Sequence, residues 1–230
     1  VLSSGIFSSS YLENGIVVYG TSNAHIFRSI DFGATWVDLG LITSNTIYTI
    51  AYFGSGVSVF GSINGRVFRS IDYGSTWVDL GIISATSIRI LIYLDNGIAL
   101  LGDTNGHIFR SVDSGSTWTD LGVISATSIT TICYFTNGVA IFGNSIDGHI
   151  FRSIDYGATW VDLGIIASGT INLSAYLGNG ISIIGDANGH IFRSTDYGVT
   201  WVDLGLISTT VVHGASYLGN GIVIFGDNNK

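Results

Sequence analysis

The side chains in this chain that could do chemistry come in copies. Asp31, Asp72, Asp113, Asp155 and Asp196 each precede a glycine by two residues. Arg28, Arg69, Arg110, Arg152 and Arg193 each stand three residues before one of those aspartates, and His25, His107, His149 and His190 stand three residues before four of the arginines, with Arg66 replacing the fifth histidine. Taken singly, a D-x-G reads as a cation loop, a set of arginines as a carboxylate clamp, and histidines as metal ligands. The spacing argues against the last two. Successive aspartates lie 41, 41, 42 and 41 residues apart, so equivalent groups stand one structural unit apart and radiate instead of converging. No metal and no cofactor are expected. Cys133, in the apolar run Ile-Cys-Tyr-Phe, reads as a small buried hydrophobe.

The elements that position these residues follow from the same repeat. The core S-x-D-x-G-x-T-W recurs at Ser29 to Trp36, Ser70 to Trp77, Ser111 to Trp118, Ser153 to Trp160 and Ser194 to Trp201. A period near 40 residues is that of a four-stranded propeller blade. In one unit the turn signals predict strand A over about Ser87 to Leu94, B over Ile98 to Gly102, C over His107 to Val112 and D over Thr117 to Leu121. Asn-Gly between apolar runs marks the A-B hairpin. Apolar residues on both strand faces suit sheets sandwiched between sheets. The fold class is therefore an all-β β-propeller of four-stranded antiparallel blades, with five full repeats plus an extra A-B hairpin, in one domain spanning 1–230. Six blade positions are favoured and five come second. Either the last blade lacks its outer strands or the chain continues beyond Lys230, and an open strand near Ile222 to Phe225 would offer an edge for self-association and an oligomer.

Composition narrows the partners. The 230 residues carry 8 basic and 16 acidic side chains, a net charge of −8, so no basic surface is available to neutralise phosphates, and nucleic acid is not an expected partner. No apolar run approaches the ~20 residues of a spanning helix, so no membrane insertion is expected. With 32 Gly and no Pro, the turns are built by Gly and Asn.

S-x-D-x-G-x-T-W resembles the Asp-box, or BNR, repeat of sialidase-like propellers and their non-enzymatic relatives. The resemblance covers five units. It implies that the motif hairpin joins the two outer strands of a blade, away from the usual ligand face. Asp31, Asp72, Asp113, Asp155 and Asp196, with Trp36, Trp77, Trp118, Trp160 and Trp201, are then structural. Sialidases use three converging arginines, a tyrosine paired with a glutamate, and an aspartate acid/base. Here the one glutamate, Glu13, falls in an A-B turn expected on the motif side, and the arginines occupy one equivalent strand C position. They read as structural, paired with turn or strand D carboxylates such as Asp38, Asp79, Asp120, Asp162 and Asp203. The histidines at the start of strand C read as exposed or turn-capping. The chain is accordingly read as a non-enzyme.

Where the copies disagree is more informative for function. Four residues before the repeated tyrosines Tyr11, Tyr52, Tyr93, Tyr134, Tyr176 and Tyr217 stand Phe7, Tyr48, Arg89, Thr130, Asn172 and His213. These six different groups fall early in the innermost strand, at a channel mouth, and could bind a small polar ligand or a glycan; the alternative is drift at a tolerant position. The B-C turn residues Asp103, Asn144 and Asp186, with Asp227, are second-rank candidates on the same face. The expected function is a non-enzymatic binding or structural module with a glycan or protein surface as partner. Gly/Asn/Ser-rich tandem blades of this kind resemble those of secreted bacterial and tailed-phage proteins, which implies an extracellular or virion-associated (phage structural protein) setting. A designed or recently duplicated repeat with no specific ligand is the alternative, and a sialidase-like glycosidase the least favoured reading.

Overall fold

The computed structural model describes residues 5–220 and 222–227, apart from the side chain of residue 213. Its elements are strands, arranged as five four-stranded antiparallel sheets in chain order and one two-stranded hairpin. The first sheet is β1 (Ile6–Tyr11), β2 (Val17–Thr21), β3 (His25–Ser29) and β4 (Val37–Leu41). The second is β5 (Ile47–Gly54), β6 (Val57–Ser62), β7 (Arg66–Ser70) and β8 (Val78–Ile82), and the third β9 (Ile88–Asp95), β10 (Ile98–Asp103), β11 (His107–Ser111) and β12 (Thr119–Val123). The fourth is β13 (Ile129–Thr136), β14 (Val139–Asn144), β15 (His149–Ser153) and β16 (Val161–Ile165), and the fifth β17 (Ile171–Gly178), β18 (Ile181–Asp186), β19 (His190–Ser194) and β20 (Val202–Leu206). The hairpin is β21 (Val212–Gly219) and β22 (Ile222–Asp227). The chain divides into two compact units, Val1–Gly122 and Val123–Lys230.

The strands fall within about two residues of the sequence expectation, because the turns fix them. Asn96 and Gly97 adopt φ of 50° and 78°, the left-handed pair that a two-residue hairpin needs and that Asn-Gly supplies at low cost. Within each unit, neighbouring sheets bury one another's apolar faces. Leu12, Val18 and Ile26 of the first sheet pack on Ile47, Ile50, Phe60 and Phe68 of the second. Phe53, Val59 and Val67 then pack on Ile88, Leu91, Leu101 and Phe109. In the second unit Cys133, Ile141 and Ile150 meet Ile171, Ile184 and Phe192, and Leu173, Ile183 and Ile191 meet Val212. Burial pushes the Cys133 thiol up to about 12, in keeping with a packed hydrophobe. The sheets approach closely: a Cβ on Gly61 would stand 2.4 Å from Ile88, so the repeated strand B glycine is set by packing.

Candidate functional site

Each sheet has two ends. At one lie the A-B turn and the S-x-D-x-G-x-T-W turn, and at the other the B-C turn and the start of strand A.

The motif end is closed by hydrogen bonds. In the second sheet one carboxylate oxygen of Asp72 accepts the Thr76 N–H and the Ser70 hydroxyl, and the other accepts the Thr76 hydroxyl. Ser70 Oγ in turn accepts the Gly74 N–H at 2.9 Å. The same set recurs around Asp31, Asp113, Asp155 and Asp196. Side-chain and backbone bonds from Thr35 hold Asp31 down to about 2. Burial opposes the shift at Asp196, but bonds from Thr200 and Ser194 outweigh it and bring that group to about 2 as well. Two consecutive left-handed residues make the turn, Tyr73 at φ 56° and Gly74 at φ 73°. The non-glycine member of that pair is invisible in the sequence pattern. Trp77 and Phe68 cover Phe60, with Phe60 centroids 4.9 and 4.6 Å away respectively. The N–H of Tyr73 donates to the Gly56 carbonyl and so ties the motif to the A-B turn, the side on which Glu13 was expected to lie.

The arginines and histidines exchange the roles assigned to them from sequence. Arg28, Arg69 and Arg152 donate Nε–H to the carbonyls of Tyr73, Ser114 and Tyr197, in the motif turn of the following sheet. The strand D carboxylates are instead held by the first residue of strand C. His25, His107, His149 and His190 lie 2.9–3.0 Å from Asp38, Asp120, Asp162 and Asp203, and Arg66 pairs with Asp79. Strand parity explains the exchange. The histidine and the arginine are three residues apart and face opposite sides of the sheet, whereas the histidine shares its side with the phenylalanine that pairs with strand D, as Phe27 does with Asp38. The Gly205 N–H, followed by the His190 ring, lowers the Asp203 carboxyl.

The other end is built differently. In every strand A the variable residue sits in a β-bulge. Pairing passes from Ile6 to Ser8, Ile47 to Thr49, Ile88 to Ile90, Ile129 to Thr131, Ile171 to Leu173 and Val212 to Gly214, which leaves out Phe7, Tyr48, Arg89, Thr130, Asn172 and residue 213. A bulge takes one residue out of the ladder and re-aims its side chain. In the first unit three of these residues form a column. The Phe7 and Tyr48 rings stack at 5.2 Å and 25°, and the Arg89 guanidinium carbon lies 4.6 Å from the Tyr48 centroid. Phe7 is 51% exposed. No protein acceptor for Arg89 is seen among the described residues. In the second unit Thr130 turns inward, its hydroxyl within bonding distance of the Gly143 and Ile171 carbonyls. Asn172 is half-buried at its bulge, and the side chain of His213 lies outside the described residues.

The B-C turn candidates are internal, not open to a ligand. Asp103, Asn144 and Asp186 are buried, because the last residue of strand B pairs with the first of strand A and turns its side chain under the D-A linker. Asp103 accepts the N–H groups of Asn105 and His107 and the hydroxyls of Ser84 and Thr86. Asn144 donates to Ser125 and accepts from His149. Asp227 is exposed, unlike these three, and accepts from Ser208. Ala167 and Gly169 occupy the positions equivalent to Ser84 and Thr86, and Asp186 Oδ2 is buried without a partner among the described residues. Co-variation among the repeats carried this signal, in the serine that accompanies Asp103 and Asp227 but not Asp186.

No known family profile matches the chain, and no curated protein does. Solved structures do. The computationally designed protein Ika8 aligns at TM-score 0.74 and 20% identity over 98% of this chain and 69% of its own. YCF48 bound to D1 peptide aligns at 0.79 and 18%, over 97% and 76%. Virginiamycin B lyase from Staphylococcus aureus aligns at 0.83 and 14%, over 97% and 78%. The fold of this chain is thus that of a β-propeller, with five complete four-stranded blades and a sixth, two-stranded one.

Proposed function

We propose that the chain is a non-enzymatic Asp-box propeller serving as a binding module at a cell or virion surface, with the strand A bulges as its contact residues and a glycan as its ligand. The observation that carries this reading is the column of Phe7, Tyr48 and Arg89. These residues share one backbone feature yet differ in chemistry, and Arg89 offers N–H donors held in place by an aromatic ring. The half-exposed Phe7 ring suits the C–H face of a sugar, and the guanidinium suits a hydroxyl or carboxylate beside it. In favour of a non-enzymatic role, the repeated carboxylates are engaged inside their own hairpins. A second reading, an extended protein segment as ligand, is favoured by the likeness to YCF48, a propeller solved with a peptide. A glycan array carried out with the parent chain and with Tyr48→Ala and Arg89→Ala tests the first reading. Binding by the parent that both variants lose supports it. Equal retention of both variants would sink it, and a peptide array positive where the glycan array is blank would replace it with the second.

A further inference from the structure

One copy of the repeat departs from the others at the start of strand C, and the residue that differs lines a cleft. In the first, third, fourth and fifth sheets a histidine opens that strand, and its ring stacks with the phenylalanine two residues on. His25 and Phe27 lie 6.2 Å apart and His107 and Phe109 5.9 Å, and His149 with Phe151 and His190 with Phe192 repeat the arrangement. In the second sheet Arg66 stands in the histidine's place. Its guanidinium still meets the strand D carboxylate, that of Asp79, but it brings no ring to Phe68.

A cleft of about 390 Å³ lies at this position. Strands β7 and β8 contribute Arg66, Phe68 and Asp79 to its lining, and the segment that leads out of β4 contributes Ile42, Thr43 and Ser44. Its polar groups are of both kinds. One Nη of Arg66 donates to Asp79, and the remaining guanidinium nitrogens have no acceptor among the described residues. One Asp79 oxygen takes the Gly81 N–H and the other the guanidinium, and each oxygen keeps a lone pair. Ser44 Oγ accepts from Asn45 and has its own proton left to give. The next two copies carry Ala85 and Ala126 where Ser44 stands. The charges of Arg66 and Asp79 cancel, so an anion drawn by one is repelled by the other. Hydroxyl groups, which both donate and accept, match such a lining.

We propose that this cleft binds one neutral sugar residue, with Arg66 and Asp79 holding a pair of neighbouring hydroxyls, Ser44 a third, and Ile42 and Phe68 meeting the C–H face of the ring. The site is separate from the column of Phe7, Tyr48 and Arg89 and does not rest on it.

The probes are the methyl glycosides of glucose, galactose, mannose and fucose, with that of glucuronic acid as the charged comparison, each titrated into the full chain and followed by amide NMR shifts. Saturable binding of at least one neutral glycoside is expected, moving the amides of Ser44, Arg66 and Asp79. Arg66→His and Ser44→Ala install residues that other copies already carry at the same positions, so the fold is kept. Arg66→His should weaken binding by about tenfold or more, and Ser44→Ala by about threefold. Tyr48→Ala combined with Arg89→Ala should leave this binding unchanged. The inference is overturned if none of the neutral glycosides binds, if the glucuronide binds in their place, or if Arg66→His binds as the parent does. Binding that is lost with the column and kept in Arg66→His overturns it as well, and assigns the sugar to the column.

Discussion

The two ends of each sheet are both irregular backbone, yet one keeps its residues and the other does not. At the motif end the turn is held by side chains: the carboxylate, hydroxyl and hydrogen-bonded glycine of S-x-D-x-G-x-T-W each satisfy a named donor or acceptor, so every copy needs the same residues. At the bulge end the irregularity lies in the pairing register, which is set by backbone bonds and tolerates any side chain that fits. Phenylalanine, tyrosine, arginine, threonine and asparagine occupy it without disturbing the strand. Identity is therefore conserved among the copies where side chains hold the fold, and released where the backbone does.

The contrast can be broken by substitutions of graded effect. The largest is expected from the backbone of the bulge end itself. Gly61 pairs with Thr49 beside the bulge, and a Cβ there would stand 2.4 and 3.0 Å from the Ile88 side chain. Gly61→Ala should cost about 3 kcal/mol, measured by denaturant unfolding. Next comes the motif end, where Asp72→Ala orphans the Thr76 N–H and hydroxyl and the Ser70 hydroxyl and should cost about 2 kcal/mol. Tyr48→Ala, by contrast, should cost about 1 kcal/mol or less. A cost for Tyr48→Ala as large as that for Asp72→Ala would erase the distinction between the ends.

A gain is expected where the copies differ in the B-C turn. Ala167→Ser supplies the hydroxyl that Ser84 gives Asp103 and should pair the orphaned Asp186 oxygen, raising stability by about 1 kcal/mol. An unchanged or lowered midpoint would mean that the oxygen is otherwise satisfied. The smallest effect per residue is in acid. Asp31 and Asp196 have folded-state values of about 2, below the roughly 3.9 of an unfolded chain. Depressed carboxylates contribute stability that is fully present above the unfolded value and lost as pH falls through the folded one. The thermal midpoint should hold from neutral pH to about pH 4 and fall between there and pH 2, and Asp196→Asn should flatten that fall.

Much of this was legible from residues alone. The motif, its period and the Asn-Gly hairpins located the strands, because local turn chemistry determines them. The roles of Arg28 and His25 were also readable, since their odd spacing places them on opposite faces, but composition suggested the wrong partner for Asp38. The bulge was not legible: it is a statement about which residue of β5 faces which residue of β6, and no side chain encodes it. Nor was the burial of Asp103, which depends on a linker 19 residues upstream, although the matching changes at Ala167 and Asp186 hinted at it.

The division between scaffold and contact surface is tested most directly by measuring, on one set of samples, the thermal midpoint and the glycan-array profile of the parent, Asp72→Ala, and Tyr48→Ala combined with Arg89→Ala. The expected result is a lowered midpoint with an unchanged profile below it for Asp72→Ala, and a parent-like midpoint with a lost profile for the bulge variant. A bulge variant that melts early and still binds, or an Asp72→Ala chain that stays folded and loses its profile, would contradict it.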